Sequence, residues 1–258
     1  LVTISRNIEK DLTTCLELCG LDIDGFILEP LASSHSILDN NEKELGTVLI
    51  DIGGGTSDII VYNNNSILHT GAISLGGQSI TKDIAFGLQT SIEQAENIKC
   101  ESGIAKSSLS DEDIEVIIKG TNGREDKIKT QRDISQIIEA RMNEVFHLIK
   151  NEIRKSGHSN DLTFGVVLTG GGSKLKNINE LAEEVFQMPT KTGRPDSVNG
   201  IIDIINNPRY STVIGIVKYV FSDDKTIYEP LENELSQDFL EKVKIKLTNI
   251  IKKIFKKI

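Results

Sequence analysis

Three consecutive glycines between two apolar runs leave this chain few local options. Leu49-Ile50-Asp51-Ile52-Gly53-Gly54-Gly55-Thr56-Ser57-Asp58 reads as strand, sharp reversal, strand. Lacking Cβ atoms, Gly53, Gly54 and Gly55 let backbone N–H groups close on an anion, the usual way a loop cradles phosphate. Asp51, just before the reversal, can hold the hydration shell of Mg2+, and Thr56 adds a hydroxyl at the same edge. A plain tight hairpin would also explain the segment taken alone. A second triplet, Gly170-Gly171-Gly172, follows the apolar run Phe164 to Thr169 and precedes a helix predicted from Ser173. Bare backbone at a strand-to-helix turn can seat an adenosine phosphate, or pack strand on helix. The P-loop pattern G-x-x-x-x-G-K-[ST] is absent, and so is an intact G-x-G-x-x-G.

The remaining pattern places these turns in an α/β fold. Helical spacing of Ile4, Ile8, Leu12 and Leu16 predicts a first helix stopped by Gly20. A short strand is expected around Gly25 to Leu28, a helix over Leu31 to Leu38, and a loop over Asp39 to Glu44. Thr47 to Ile52, Ser57 to Tyr62 and a run ending at Ile73 predict an antiparallel meander, followed by two helices, the second opened by a capping box at Ser91. Two short β runs, Ile114 to Ile118 and Asp126 to Lys129, precede a long amphipathic helix expected to be capped by Asp133 and Gln136. Ile134, Ile137, Ile138, Met142, Val145, Leu148, Ile149 and Ile153 form its apolar face. A last core helix is expected over Arg209 to Phe221. Strands that meander and then alternate with helices put ligand chemistry at the strand ends.

Charge is unevenly spread. The 258 residues carry a net −9, which disfavours non-specific nucleic-acid binding. Yet residues 238–258 hold seven lysines against Asp238 and Glu241, a local +5 on an otherwise acidic body. Leu240, Val243, Leu247, Ile250, Ile251, Ile254, Phe255 and Ile258 recur at three- and four-residue steps, with Lys252, Lys253, Lys256 and Lys257 among the cations beside them. That is the composition of a helix lying on an anionic membrane surface, and an acidic spacer over 222–237 sets it off from the body. No apolar run approaches the ~18 residues of a membrane span. Three cysteines are no disulfide framework; Cys15 and Cys19 are expected to pack on the first helix, and no histidine has zinc-ligand spacing.

The two glycine turns resemble the second phosphate motif and the adenosine motif of the actin, sugar-kinase and DnaK ATPases, whose fold is actin-like (ribonuclease-H-like). Ile27-Leu28-Glu29-Pro30-Leu31-Ala32 is similar to their interdomain connector. Within that superfamily, Ser74-Leu75-Gly76-Gly77 with Ile80 to Asp83, Ala95-Glu96-Asn97-Ile98-Lys99 and Tyr210 to Gly215 resemble the FtsA family of bacterial cell division. The likeness covers the C-terminal part of such a protein. It implies the end of a first lobe and a connector over 1–45, a second lobe over 46–99 and 160–221, an inserted small subdomain over 100–159, the linker, and a membrane helix over 238–258.

The resemblance also implies roles. Asp51 and Glu29 would orient Mg2+ waters, and Gly53, Gly54, Gly55 and Thr56 would hold the β and γ phosphates of ATP. Glu96 and Lys99 would face ribose and base, with Gly170, Gly171 and Gly172 on the adenosine side. An exposed ion pair would equally explain Glu96 and Lys99, three apart on a helix. Arg141 and Glu144 match positions at which the family binds the FtsZ C-terminal peptide. The implied protein is an actin-like polymer that self-associates into filaments and tethers FtsZ to the cytoplasmic face of the membrane at the division septum, with at most slow ATPase activity. A small-molecule kinase and a pilus-assembly ATPase of the same fold are the alternatives; neither accounts for the basic tail.

Overall fold

The computed structural model describes residues 5–23, 25–120, 125–159, 161–195 and 206–221. The linker and tail expectations over 222–258 lie outside the described residues. The chain divides into two units, 27–221 and the remainder. In the second of these the described structure is helix α1, Arg6–Leu18, which ends as its Gly20 predicts, with that glycine at φ +73°. None of its residues is buried, so Cys15 and Cys19 are exposed rather than packed.

Unit 27–221 is built on a five-stranded sheet whose strands lie in the order Ser66–Ile73, Ser57–Asn63, Thr47–Ile52, Gly165–Thr169 and Thr190–Thr192. Strands β1 (Thr47–Ile52), β2 (Ser57–Asn63) and β3 (Ser66–Ile73) form the predicted meander. Asn64 and Asn65 turn β2 into β3 with positive φ, which asparagine tolerates better than most residues. β6 (Gly165–Thr169) pairs parallel with β1, and β7 (Thr190–Thr192), which the sequence does not advertise, pairs parallel with β6. The C-terminal ends of β1, β6 and β7 therefore open on one edge.

Every residue of β1 is buried, because the sheet is covered on both faces. Alternation decides which layer each side chain meets. Val48, Ile50 and Ile52, with Ile59, Val61, Val166 and Leu168, enter the main core. That core is completed by α4 (Gly77–Leu88), α5 (Ile92–Ser102), α6 (Gln131–Ser156) and α7 (Ile178–Phe186). The other face bears α2 (Glu29–Ile37) and α8 (Ser211–Phe221), seen in the bonds Ser33 to Asp51, Ser34 to Tyr62 and Ser211 to Thr169. These two helices meet backbone to backbone: a Cβ on Gly215 would overlap the Ala32 carbonyl.

Several local expectations are corrected. Residues 25–28 form no strand, and the proposed loop at 39–44 is instead a short helix, α3 (Asn40–Leu45). Its capping box is complete: Glu42 N–H donates to Asp39, and Asp39 N–H to the Glu42 carboxylate, both at 2.8 Å. Helix α6 starts earlier than expected because Thr130, not Asp133, is its N-cap, with Asp133 closing the box. Its Leu148 is exposed, outside the buried stripe. At Ser91 only half a box forms, the Gln94 N–H donating to Ser91 Oγ at 3.2 Å. The second triplet itself enters a 3-10 turn, Gly171–Lys174, and regular helix begins only at Ile178. α8 is a half-buried helix rather than a core one, with Val213, Val217 and Phe221 exposed. The two short β runs form, each within a residue of its expected bounds, as β4 (Glu115–Ile118) and β5 (Lys127–Thr130), and they pair antiparallel.

Candidate functional site

Asp51, the penultimate residue of β1, faces the α2–α8 layer and is 5% exposed. Ser33 Oγ donates to its Oδ2 at 2.6 Å, and Thr212 of α8 reaches the same oxygen at 3.4 Å. The hairpin register puts Asp58 directly opposite Asp51, and Glu29 opens α2 beside them. All three carboxylates are pushed above their ordinary range. Burial is the main cause for each; Asp58 raises Asp51 further, and both aspartates raise Glu29. Hydrogen bonds from Ser33 and, for Asp58, Thr56 offset this only in part. Sequence reasoning missed Asp58, although the symmetric D-x-G-G-G-T-x-D spacing about the turn was there to find. Such a cluster fits a hydrated cation. Among the described residues no group of three His, Cys, Asp or Glu side chains is arranged to hold a metal ion directly.

The two glycine turns converge on this carboxylate. Gly170 has φ +81°, and a Cβ there would overlap Asp51 Oδ1; a Cβ on Gly172 would overlap Ile52. The second turn thus sits against the end of β1 as closely as backbone allows. The first is closed by Gly53 N–H on Thr56 O at 2.9 Å, leaving Gly54, Gly55 and Thr56 exposed. Its carbonyls face α4: Gly77 N–H donates to Gly53 O at 2.9 Å and Gln78 N–H to Gly54 O at 2.8 Å. The α4 N-terminus, a ready anion site elsewhere, is here occupied by the loop itself. A polar cavity of about 460 Å3 opens beside the second turn, lined by Ser173, Lys174, Asn177, Arg194, Asn207 and Pro208.

Glu96 and Lys99 do form an ion pair, at 2.7 Å, with the Glu96 side chain half-exposed and Lys99 turned inward. Lys99 is 11% exposed and also donates to Gly77 O at 3.0 Å and Thr81 Oγ1 at 2.8 Å. Against the effect of burial, bonds from Lys99 and Thr81 hold the Glu96 carboxyl below its usual range. The pair is therefore fixed to the same helix as the first glycine turn.

Arg141 and Glu144 lie on α6 and touch each other. Arg141 also forks onto Asp83 of α4, with Nε to Oδ2 at 2.5 Å and Nη2 to Oδ1 at 2.9 Å. The guanidinium expected to receive a partner is already held by two carboxylates of its own chain.

The family model described as cell division protein FtsA matches residues 48–215. The cell division protein FtsA of Pseudomonas aeruginosa is 41% identical over 218 residues, covering 84% of this chain and 51% of its own length. That of Escherichia coli K12 is 34% identical over 226 residues, covering 85% and 54%. The chain thus spans about half the length of these curated relatives. Among solved structures, MreB 5 of Spiroplasma citri bound to AMPPNP superposes with a TM-score of 0.69 at 18% identity, over 87% of this chain and 66% of that one. The PilM–PilN type IV pilus biogenesis complex gives 0.58 at 15%, over 80% and 56%. These distant likenesses establish the actin-like fold, and the closer sequence matches favour neither the kinase nor the pilus reading. This chain belongs to the FtsA family of bacterial cell-division proteins.

Proposed function

We propose that this chain supplies one wall of a Mg·ATP site in an actin-like, filament-forming protein that links FtsZ to the cytoplasmic membrane during division. One observation carries the nucleotide reading: two glycine turns 115 residues apart in sequence meet at a buried, proton-hungry aspartate. The exposed amides of Gly54 and Gly55 and the Thr56 hydroxyl would hold phosphate oxygens, and the cavity beside Ser173 has the polar lining a nucleoside requires. Asp51, Glu29 and Asp58 would orient the waters of Mg2+, which on binding neutralises phosphate and carboxylate charge together. Their hydroxyl partners keep Asp51 fixed with little reorganisation. MreB 5 of Spiroplasma citri, which shares the fold, is bound to AMPPNP, and this supports a nucleotide role for the fold.

FtsZ tethering and filament formation rest on family membership, and membrane attachment on the amphipathic composition of 238–258. No helix among the described residues is long and apolar enough to cross a membrane. The nucleotide reading is tested by titrating Mg·ATP calorimetrically into a chain extended to its relatives' length, with Gly54→Val as the variant. A Cβ at Gly54 meets nothing nearer than the Gln78 side chain at 3.7 Å, so the substitution crowds the exposed loop without breaking the fold. Binding should fall at least tenfold. Unchanged binding would remove Gly53–Thr56 from the site.

A further inference from the structure

One short helix joins three places that the proposed function treats separately. At its first turn, the α4 amides of Gly77 and Gln78 hold the carbonyls of the first glycine loop. On its second turn, Thr81 donates to Glu96 and accepts from Lys99. Two residues further, Asp83 forks onto Arg141 of α6. Gly77 and Asp83 are six residues apart, about 9 Å along the axis, so little compliance separates them. The Arg141–Asp83 fork is the charge-assisted, bidentate kind, whose geometry is sharply defined. In the structure it is closed on Asp83.

We propose that Asp83 is an internal competitor for the Arg141 surface, and that through α4 it makes acidic-peptide binding and nucleotide binding oppose one another. This rests on the reading of both sites given above. A peptide carboxylate that takes Arg141 displaces Asp83 and removes the bidentate tie between α4 and α6, leaving the two helices joined through buried apolar side chains such as Ile84 and Ile138. The glycine loop, whose carbonyls hang from the α4 amides, is then held less firmly in the position a nucleotide needs. Conversely, a nucleotide that orders the loop holds α4 in place and favours the closed fork. Linkage requires the two effects to be equal in size. Glu144, also bonded to Arg141, lies on α6 itself, so displacing it would not release α4.

The test uses a chain extended to the relatives' length and a synthetic peptide copying the FtsZ C-terminus. Peptide affinity is measured by fluorescence anisotropy with and without saturating Mg·ATP, and Mg·ATP affinity by calorimetry with and without saturating peptide. In the wild type each ligand should weaken the other by about fivefold, the lower end of ordinary allosteric coupling. Asp83→Asn should bind peptide more tightly, with both ratios brought within twofold of one. Ratios within twofold of one in the wild type, mutual strengthening, or a fivefold ratio that survives Asp83→Asn would each overturn the proposal while leaving both sites standing. A peptide or a nucleotide that fails to bind at all overturns the corresponding site, and the coupling with it. The wild-type measurement decides the matter even if Asp83→Asn folds poorly.

Discussion

The crossing of α2 and α8 makes a sharp quantitative test, because two opposed effects act at one residue. Gly215 lies inside α8, where alanine would favour the helix by about 1 kcal/mol. A Cβ at that position, however, overlaps the Ala32 carbonyl, which is helix backbone and cannot swing aside as a side chain would. The helices must part, and overpacking of a buried contact costs about 3 kcal/mol when backbone has to move. The net destabilisation for Gly215→Ala is then about 2 kcal/mol, a fall of roughly 4 to 8 °C in melting temperature for a domain of this size. Parting the helices also draws Thr212 away from Ser33, its neighbour at 3.0 Å, and so disturbs the hydroxyl pair at Asp51. Gly55→Ala is the control: a Cβ there meets nothing within 4 Å, and its melting point should stay within about 1 °C. Thermal unfolding followed by circular dichroism and calorimetry reads both. Gly215→Ala melting at or above the wild type would show that helix propensity wins and that the close crossing is not what holds the two helices together.

Asp51→Asn should raise the melting temperature at pH 7, since the folded pKa lies above the ordinary 3.8 and ionised Asp51 therefore costs stability once pH exceeds it; the gain should vanish as pH falls through the ordinary carboxylate range, and a gain independent of pH would refute the charge argument. Arg141→Glu should weaken FtsZ-peptide binding at least tenfold in an anisotropy titration, and equal affinity would leave Arg141 a link between α4 and α6 only. Ile251→Glu with Phe255→Glu should release the protein from anionic vesicles in sedimentation, because each lysine contributes only about 1 kcal/mol at such a surface and the apolar stripe must supply the rest; a double variant that still pellets would exclude the tail as anchor.

What the sequence discloses is whatever a few neighbouring residues decide. The Gly53–Gly55 reversal and the β1–β2–β3 meander are local, and both stand where the pattern puts them. The differences over α3 and the start of α6 are local too, since Asp39-x-x-Glu42 and Thr130-x-x-Asp133 are both legible capping boxes. β7 was a different failure. Thr190-Lys191-Thr192 has no apolar content to announce a strand, and it exists because β6 offers a free edge beside it. The site divides in the same way. Glycines at 170 and 172 are visible, but that their missing Cβ atoms make room for Asp51 and Ile52 depends on a parallel pairing across some 120 residues. Likewise Arg141 reads as a free cation until α4 brings Asp83 against it.

The carboxylate cluster explains why that remote packing is worth keeping. Burying Asp51 opposite Asp58 and beside Glu29 raises all three pKa values, so at neutral pH the arrangement subtracts from stability rather than adding to it. Asparagine at 51 could keep the Ser33 bond and shed the penalty. A fold shaped for stability alone would favour that exchange, and stabilising substitutions of this kind are commonly the ones that cost function. The surroundings instead hold the charge in place: Ser33 and Thr212 donate from two different helices, and Gly170 yields its Cβ volume to the carboxylate. Each of those contacts orients Asp51 without neutralising it. A cation arriving with its phosphates would supply what the protein withholds, lowering all three pKa values and releasing protons as it binds. Mg·ATP titrations in buffers of differing ionisation heat should therefore show net proton release growing as pH falls toward the cluster's pKa values, and an absence of such release would separate the cluster from the nucleotide.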